Sequence, residues 1–215
     1  MAISPYSQPP IPRIPAAKRH SNCTQQKPLL NLFYIGTYPI IDVEACMESK
    51  AKILGHAAHP ILIVFPLGLL STAVIFDAVH LFSGSPEFAT VSYWMIAAGL
   101  IGGIAAAPFG WYDWFAIPSG TRAKQVGLVH GLSMSLTLAM FFISWLLRFE
   151  PPTSPSILAL VFSFAAVPLA SFGAWMGGEL IERLGVGVDD NAHLNAPNSL
   201  TGTAVQASRA AADKS

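Results

Sequence analysis

The chain has 215 residues, of which 53% are hydrophobic and only 11% charged, whereas an average soluble domain is about a quarter charged. Twelve Lys plus Arg balance twelve Asp plus Glu, which excludes a nucleic-acid binder working through a clustered basic patch. Cys23 and Cys46 are too few for a disulfide framework and form no CxxC or CxxCH motif. With a mean hydropathy of +0.50, the composition points to a membrane protein.

Residues 1–52 hold six of the twelve cations and seven prolines from Pro5 to Pro39. Such a stretch cannot bury enough apolar surface to offset its ordering entropy, so it is expected to be a largely disordered tail. Its longest apolar run, Leu29 to Gly36, is broken by Asn31 and leads to no small-residue cleavage site, unlike a signal peptide. Met47 stands directly before the part that looks folded, as the start of a shorter chain would. At the other end, residues 189–215 are rich in Ala, Asn, Ser and Asp and read as a second flexible tail.

Residues 53–188 carry four apolar stretches: Ile61–Phe82, Val91–Phe109, Val126–Leu147 and Ile157–Gly178. A helix needs about 20 apolar residues to cross a bilayer core. The connections Ser83–Thr90, Gly110–Gln125 and Arg148–Ser156 are short and rich in Gly and Pro. Short connections make successive helices antiparallel neighbours, so the fold class is all-α: a four-span, up-down-up-down transmembrane bundle. Four crossings put both termini on one side, which holds eleven cations, while the other side holds only Arg148. The positive-inside rule then places both termini in the cytoplasm and the bundle in an inner (plasma) membrane. Trp94 and Trp145 mark one interface, and Trp111, Trp114 and Trp175 the other. Small residues recur at helical spacing along Gly99, Gly102, Ala106 and Gly110, along Gly127, Gly131, Ser135 and Ala139, and along Ala166, Ala170, Gly173 and Gly177. They predict close helix–helix packing within one bundle.

This topology gathers polar residues at the cytoplasmic end: His56 and His59 before the first span, Asp113 after the second, His130 within the third, Glu179 and Arg183 after the fourth. Asp77 and His80 stand at the opposite end, three residues apart, where snorkelling to the surface is expected. The plainest reading makes all of these helix-end groups, with Glu179 pairing with Arg183. A sharper one takes His59 and His130, from two helices at one depth, as axial ligands of haem b, with the Gly127, Gly131 and Ser135 face leaving room for the porphyrin. A third takes His56, His59, His130 and Glu179 (or Asp113) as a metal site of mixed N and O donors. No nucleophile elbow, phosphate loop or HExxH motif occurs.

The strings themselves resemble a bacterial family. Gly55-His56-Ala57-Ala58-His59-Pro60, Phe65-Pro66-Leu67-Gly68, Phe76-Asp77, Trp94 with Ala97-Ala98-Gly99-Leu100, Trp111-Tyr112-Asp113-Trp114, His130, and Gly177-Gly178-Glu179-Leu180 with Gly185-Val186-Gly187-Val188 look like the predicted membrane proteins called domain of unknown function 2231. The resemblance covers about Leu54 to Asp190, with Ala57 departing where the family has proline. It implies a four-span bundle and no particular activity. Expected functions are therefore a small membrane subunit or scaffold, meeting membrane-protein partners or a second copy in the lipid bilayer, or the haem or metal protein just described.

Overall fold

In a computed structural model, residues 46–189, 192, 194–196 and 198–200 are described; the tail expectations for 1–45 and 201–215 lie outside them. Two short strands, β1 (Lys52–Ile53) and β2 (His56–Ala57), form a hairpin that leads into helices α1 (Ala58–Leu62), α2 (Val64–Ser83), α3 (Pro86–Ala116), α4 (Arg122–Leu146) and α5 (Ile157–Gly178), followed by a π-helical turn at Glu179–Arg183. Four helical units, Ala58–Ser83, Pro86–Ala116, Arg122–Leu146 and Ile157–Arg183, are long and apolar enough to cross a membrane. Their outward residues, among them Phe65, Ile75, Ile101, Leu132, Val161 and Phe172, are exposed. In lipid that exposure is solvation.

Prolines and caps set the boundaries. Pro66 has no N–H for the carbonyl four residues back, and the first unit breaks at Ile63 between α1 and α2. Gly84 ends α2 in the left-handed region at φ 69° and donates its N–H to the His80 carbonyl. Pro86 opens α3 at its first position. Thr121 and Ser156 cap α4 and α5, each accepting a backbone N–H three residues on. α3 runs on through Gly110-Trp111-Tyr112-Asp113-Trp114, so this string is helix rather than the start of a connection.

The core is built on Leu70, Ala73 and Val74 of α2, Ile96 and Leu100 of α3, Phe141 of α4 and Ala166 of α5. Small-residue faces bring the helices together as expected. An added Cβ on Gly99 would fall 2.7 Å from the Leu70 side chain, and one on Gly102 3.1 Å from Phe65. The face of Gly127 and Gly131 approaches something bulkier, the indoles of Trp114 and Trp111. That space holds aromatic rings, which corrects the expectation that it is kept for a porphyrin.

The far end is not arranged as a set of snorkelling polar groups. Asp77 and Arg148 are both fully buried, at 0% exposure. Arg148 follows α4 and reaches back into the bundle. Its Nη1 and Nη2 donate to the two Asp77 carboxylate oxygens at 2.6 and 2.7 Å, and the same nitrogens donate to Ser92 and Ser163. Nε donates to Ser144 at 3.2 Å. All five guanidinium N–H groups thus find acceptors, and the acceptors come one from each span: Asp77 of α2, Ser92 of α3, Ser144 of α4 and Ser163 of α5. His80 takes no part; its Nδ1 meets the Ser85 carbonyl at 2.8 Å.

The two helical hairpins repeat one spacing. Asp77 follows His59 by 18 residues and Ser92 follows Asp77 by 15; Arg148 follows His130 by 18 and Ser163 follows Arg148 by 15. Eighteen helical residues rise about 27 Å, close to the thickness of a hydrocarbon core. The two hairpins therefore share one spacing of polar positions. The histidines meet at one end, and Asp77 and Arg148 meet at the other.

Candidate functional site

At the end of the bundle nearer residues 46 and 189 the chain builds a lid and, beneath it, a histidine pair. The lid is tied by Asp113 near the end of α3: its Oδ1 accepts the N–H groups of Lys50 and Ala51 at 2.7 and 3.2 Å, and its Oδ2 accepts the Ser49 hydroxyl at 2.6 Å. Met47 joins the other end of the chain, donating its N–H to the Gly185 carbonyl and accepting from Gly187. Ordered structure thus reaches back into the segment read as tail. Replacing Asp113 by Ala removes the acceptors of three hydrogen bonds, at about 0.5–1.5 kcal/mol for a neutral bond and more for a charged one. Amides 50 and 51 are expected to lose their hydrogen-exchange protection in D113A while the four spans stay protected. Unchanged exchange there would show that the Met47–Gly185 contact alone holds the lid.

The histidine pair is positioned by backbone. His59, in the first turn of α1, has Nδ1 at 3.0 Å from the Ala106 carbonyl of α3. His130, on α4, has Nδ1 at 2.8 Å from the Gly173 carbonyl of α5. A carbonyl only accepts, so each Nδ1 carries a proton, and in the neutral imidazole Nε2 keeps its lone pair. One helical turn beyond each carbonyl stands a glycine, Gly110 or Gly177, against whose bare Cα the imidazole lies. The ring centres are 6.3 Å apart and the planes stand at 88°. Both rings are half-buried.

The other expected site residues are placed apart from this pair. His56 is exposed in β2, with Nε2 at 3.2 Å from Ser199 Oγ. Glu179 pairs with Arg122, at the start of α4, at 2.7 Å, not with Arg183, which is exposed in the π-helical turn. Among the described residues no three His, Cys, Asp or Glu side chains converge as a metal cluster. Lys124 locks α3 to α4: its Nζ donates to the Trp114 carbonyl at 2.7 Å and sits 3.9 Å above the Trp114 ring, whose Nε1 donates back to the Lys124 carbonyl. Reading the sequence residue by residue misses Arg148, Ser92, Ser144 and Ser163; the repeated spacing of 18 and 15 is the signal that points to three of them.

Four apolar helices around two polar layers define a polytopic integral membrane protein. The chain belongs to the family described as "Predicted membrane protein (DUF2231)", whose model matches residues 55–190. No curated protein and no solved structure matches it.

Proposed function

We propose that this chain is a small redox subunit of an inner membrane, with both termini cytoplasmic, that holds a b-type haem between His59 and His130. The observation that carries the reading is the separation of the two rings. A metal–nitrogen bond of about 2.0 Å on each side, plus about 1.1 Å from each nitrogen to its ring centre, spans roughly 6.2 Å. The observed ring separation is 6.3 Å. Carbonyl bonds at both Nδ1 atoms fix tautomer and orientation, the support that ligating imidazoles ordinarily receive. Two protein ligands suit a group that brings four equatorial nitrogens of its own, whereas a bare metal ion would call for a third and fourth side chain. Bound haem would supply a one-electron couple, its iron gaining the electron that an outer-sphere donor loses, with no bond made or broken. His59 and His130 would hold the group from both sides, so the residues present would favour electron exchange over chemistry that needs an open coordination position.

The test is a spectrum. Protein purified in mild detergent from cells supplied with haem precursor and iron should carry one haem per chain and show an intense near-violet band that shifts and sharpens on dithionite reduction. Colourless, metal-free protein would overturn the reading and leave a cofactor-free membrane subunit.

Topology is tested separately. The cations outside the spans all fall on the side of the two termini, since Arg148 is buried in its ion pair, and this asymmetry supports cytoplasmic termini. Reporter fusions at Glu87 and Thr153 should be active only in a periplasmic assay, and a fusion after Asp189 only in a cytoplasmic one; the reverse pattern would invert the assignment.

A further inference from the structure

We propose that Gly110 and Gly177 are positioning residues that hold the two imidazole planes crossed, and so set the electronic structure of the iron bound between them. This rests on the haem reading above and adds which residues govern the ligand planes. The same device occurs twice. On α3, the Ala106 carbonyl takes the proton of His59 Nδ1, and four residues on Gly110 leaves its Cβ position to the ring. On α5, the Gly173 carbonyl takes that of His130, and four residues on Gly177 does likewise. Carbonyl and glycine are one turn apart on one face of each helix, so each ring is held at its nitrogen and across its face near Cε1. The two gripping helices belong to different hairpins, and the ring planes stand at 88°.

The grip is tighter at one histidine. A Cβ on Gly110 would lie 2.8 Å from His59 Cε1, 2.9 Å from Nδ1 and 3.2 Å from Nε2. A Cβ on Gly177 would lie 3.1 Å from His130 Cε1, 3.4 Å from Nδ1 and 3.9 Å from Nε2. The first is a clash that rotation of the ring away from the Ala106 carbonyl would relieve; the second asks for a few tenths of an ångström.

Crossed imidazoles donate π density to both iron dπ orbitals equally and leave them nearly degenerate. Coplanar imidazoles single out one orbital and split the pair. Ligand orientation is thus a means by which the protein tunes the metal, alongside hydrogen bonding and burial.

Electron paramagnetic resonance of the oxidised, haem-loaded full chain tests this. The wild type is expected to show a low-spin ferric signal of extreme anisotropy, dominated by one low-field feature. Gly110→Ala should keep its haem but move that feature to higher field, toward the three-line rhombic pattern of coplanar ligands, with a shifted reduction potential. Gly177→Ala should move it in the same sense by less, and it provides the readout if Gly110→Ala does not fold. Gly68→Ala on α2, where nothing lies within 4 Å of the added Cβ, should leave the spectrum unchanged. A rhombic wild-type spectrum, or identical spectra for wild type and both glycine variants, would overturn the positioning role while leaving haem binding intact. Absence of haem from the wild type would instead overturn the reading on which it rests.

Discussion

Replacing Arg148 by Met is expected to destabilise the bundle by about 3–5 kcal/mol, the range for removing one partner of a buried ion pair. The loss is large because the guanidinium serves every span. Without it the Asp77 carboxylate stays at 0% exposure with no counter-charge, and the hydroxyls of Ser92, Ser144 and Ser163 lose a donor. Asp77→Leu alone should cost a similar amount, since it strands the guanidinium instead. The double variant Asp77→Leu with Arg148→Met should recover most of the loss, because replacing both charges by apolar groups is often neutral or stabilising. Denaturant titration in detergent micelles, read by loss of helical circular dichroism, measures all three. Single variants within about 0.5 kcal/mol of wild type would show that the pair contributes nothing to folding and leave it without a structural role.

The pair also has a consequence for assembly of the two halves. Because Asp77 and Arg148 occupy matching places in the spacing of their hairpins, pairing a hairpin with a copy of itself would set Asp against Asp or Arg against Arg. Only the first hairpin against the second makes the bond. Buried polar groups are known to specify register and partner in this way. The two polar layers therefore differ in kind: the histidine layer is symmetric in residue type, and the charged layer breaks the symmetry.

Much of the fold is legible in the sequence, for a physical reason. Apolar length is dictated by the bilayer, so the four spans announce themselves, and short Gly/Pro connections fix their antiparallel order. The ends are less legible. Hydropathy falls at Trp111-Tyr112-Asp113-Trp114, yet these residues continue α3 to Ala116, because Asp113 and the Trp114 indole find partners in the lid and on α4 rather than needing a loop. His59 and His130 can be placed at one depth from span positions alone. Their separation cannot, because it depends on how the hairpins pack. Arg148 is the hardest residue to read, since it sits outside the apolar run in a Pro-rich string and looks like a solvated loop cation; only its side chain returns to the interior. The faces of Gly127 and Gly131 show a complementary limit. Small residues announce that something approaches closely, but not whether it is a backbone, an indole or a ligand.

Replacing His130 by Ala is expected to abolish haem binding, a loss of about 100-fold or more, since removal of a mere outer-shell partner already costs 10–100-fold at metal sites. His59→Ala should do the same, because the geometry gives neither axial position a substitute: His56 is exposed in β2 and bonded to Ser199, and Glu179 is held by Arg122. His80→Ala is the control. Its ring lies at the other end of α2, 21 residues from His59, or about 31 Å along a helix, and its loss should weaken only the bond to the Ser85 carbonyl. Fold and ligation are separable here. In haem-free protein, His130→Ala removes one interhelical hydrogen bond, worth about 0.6 kcal/mol on average between membrane helices and about 1.7 at most, so the spans should still assemble. A ligand role makes a further demand that a packing role does not. In His130→Gly, free imidazole added to the detergent solution should enter the vacated space and restore the near-violet band in proportion to its concentration. Restoration would identify the imidazole nitrogen as the iron ligand. A band that persists in both His59→Ala and His130→Ala, or a folded His130→Gly protein that imidazole never recolours, would place the haem elsewhere and leave the two rings as carbonyl-bonded staples between helices.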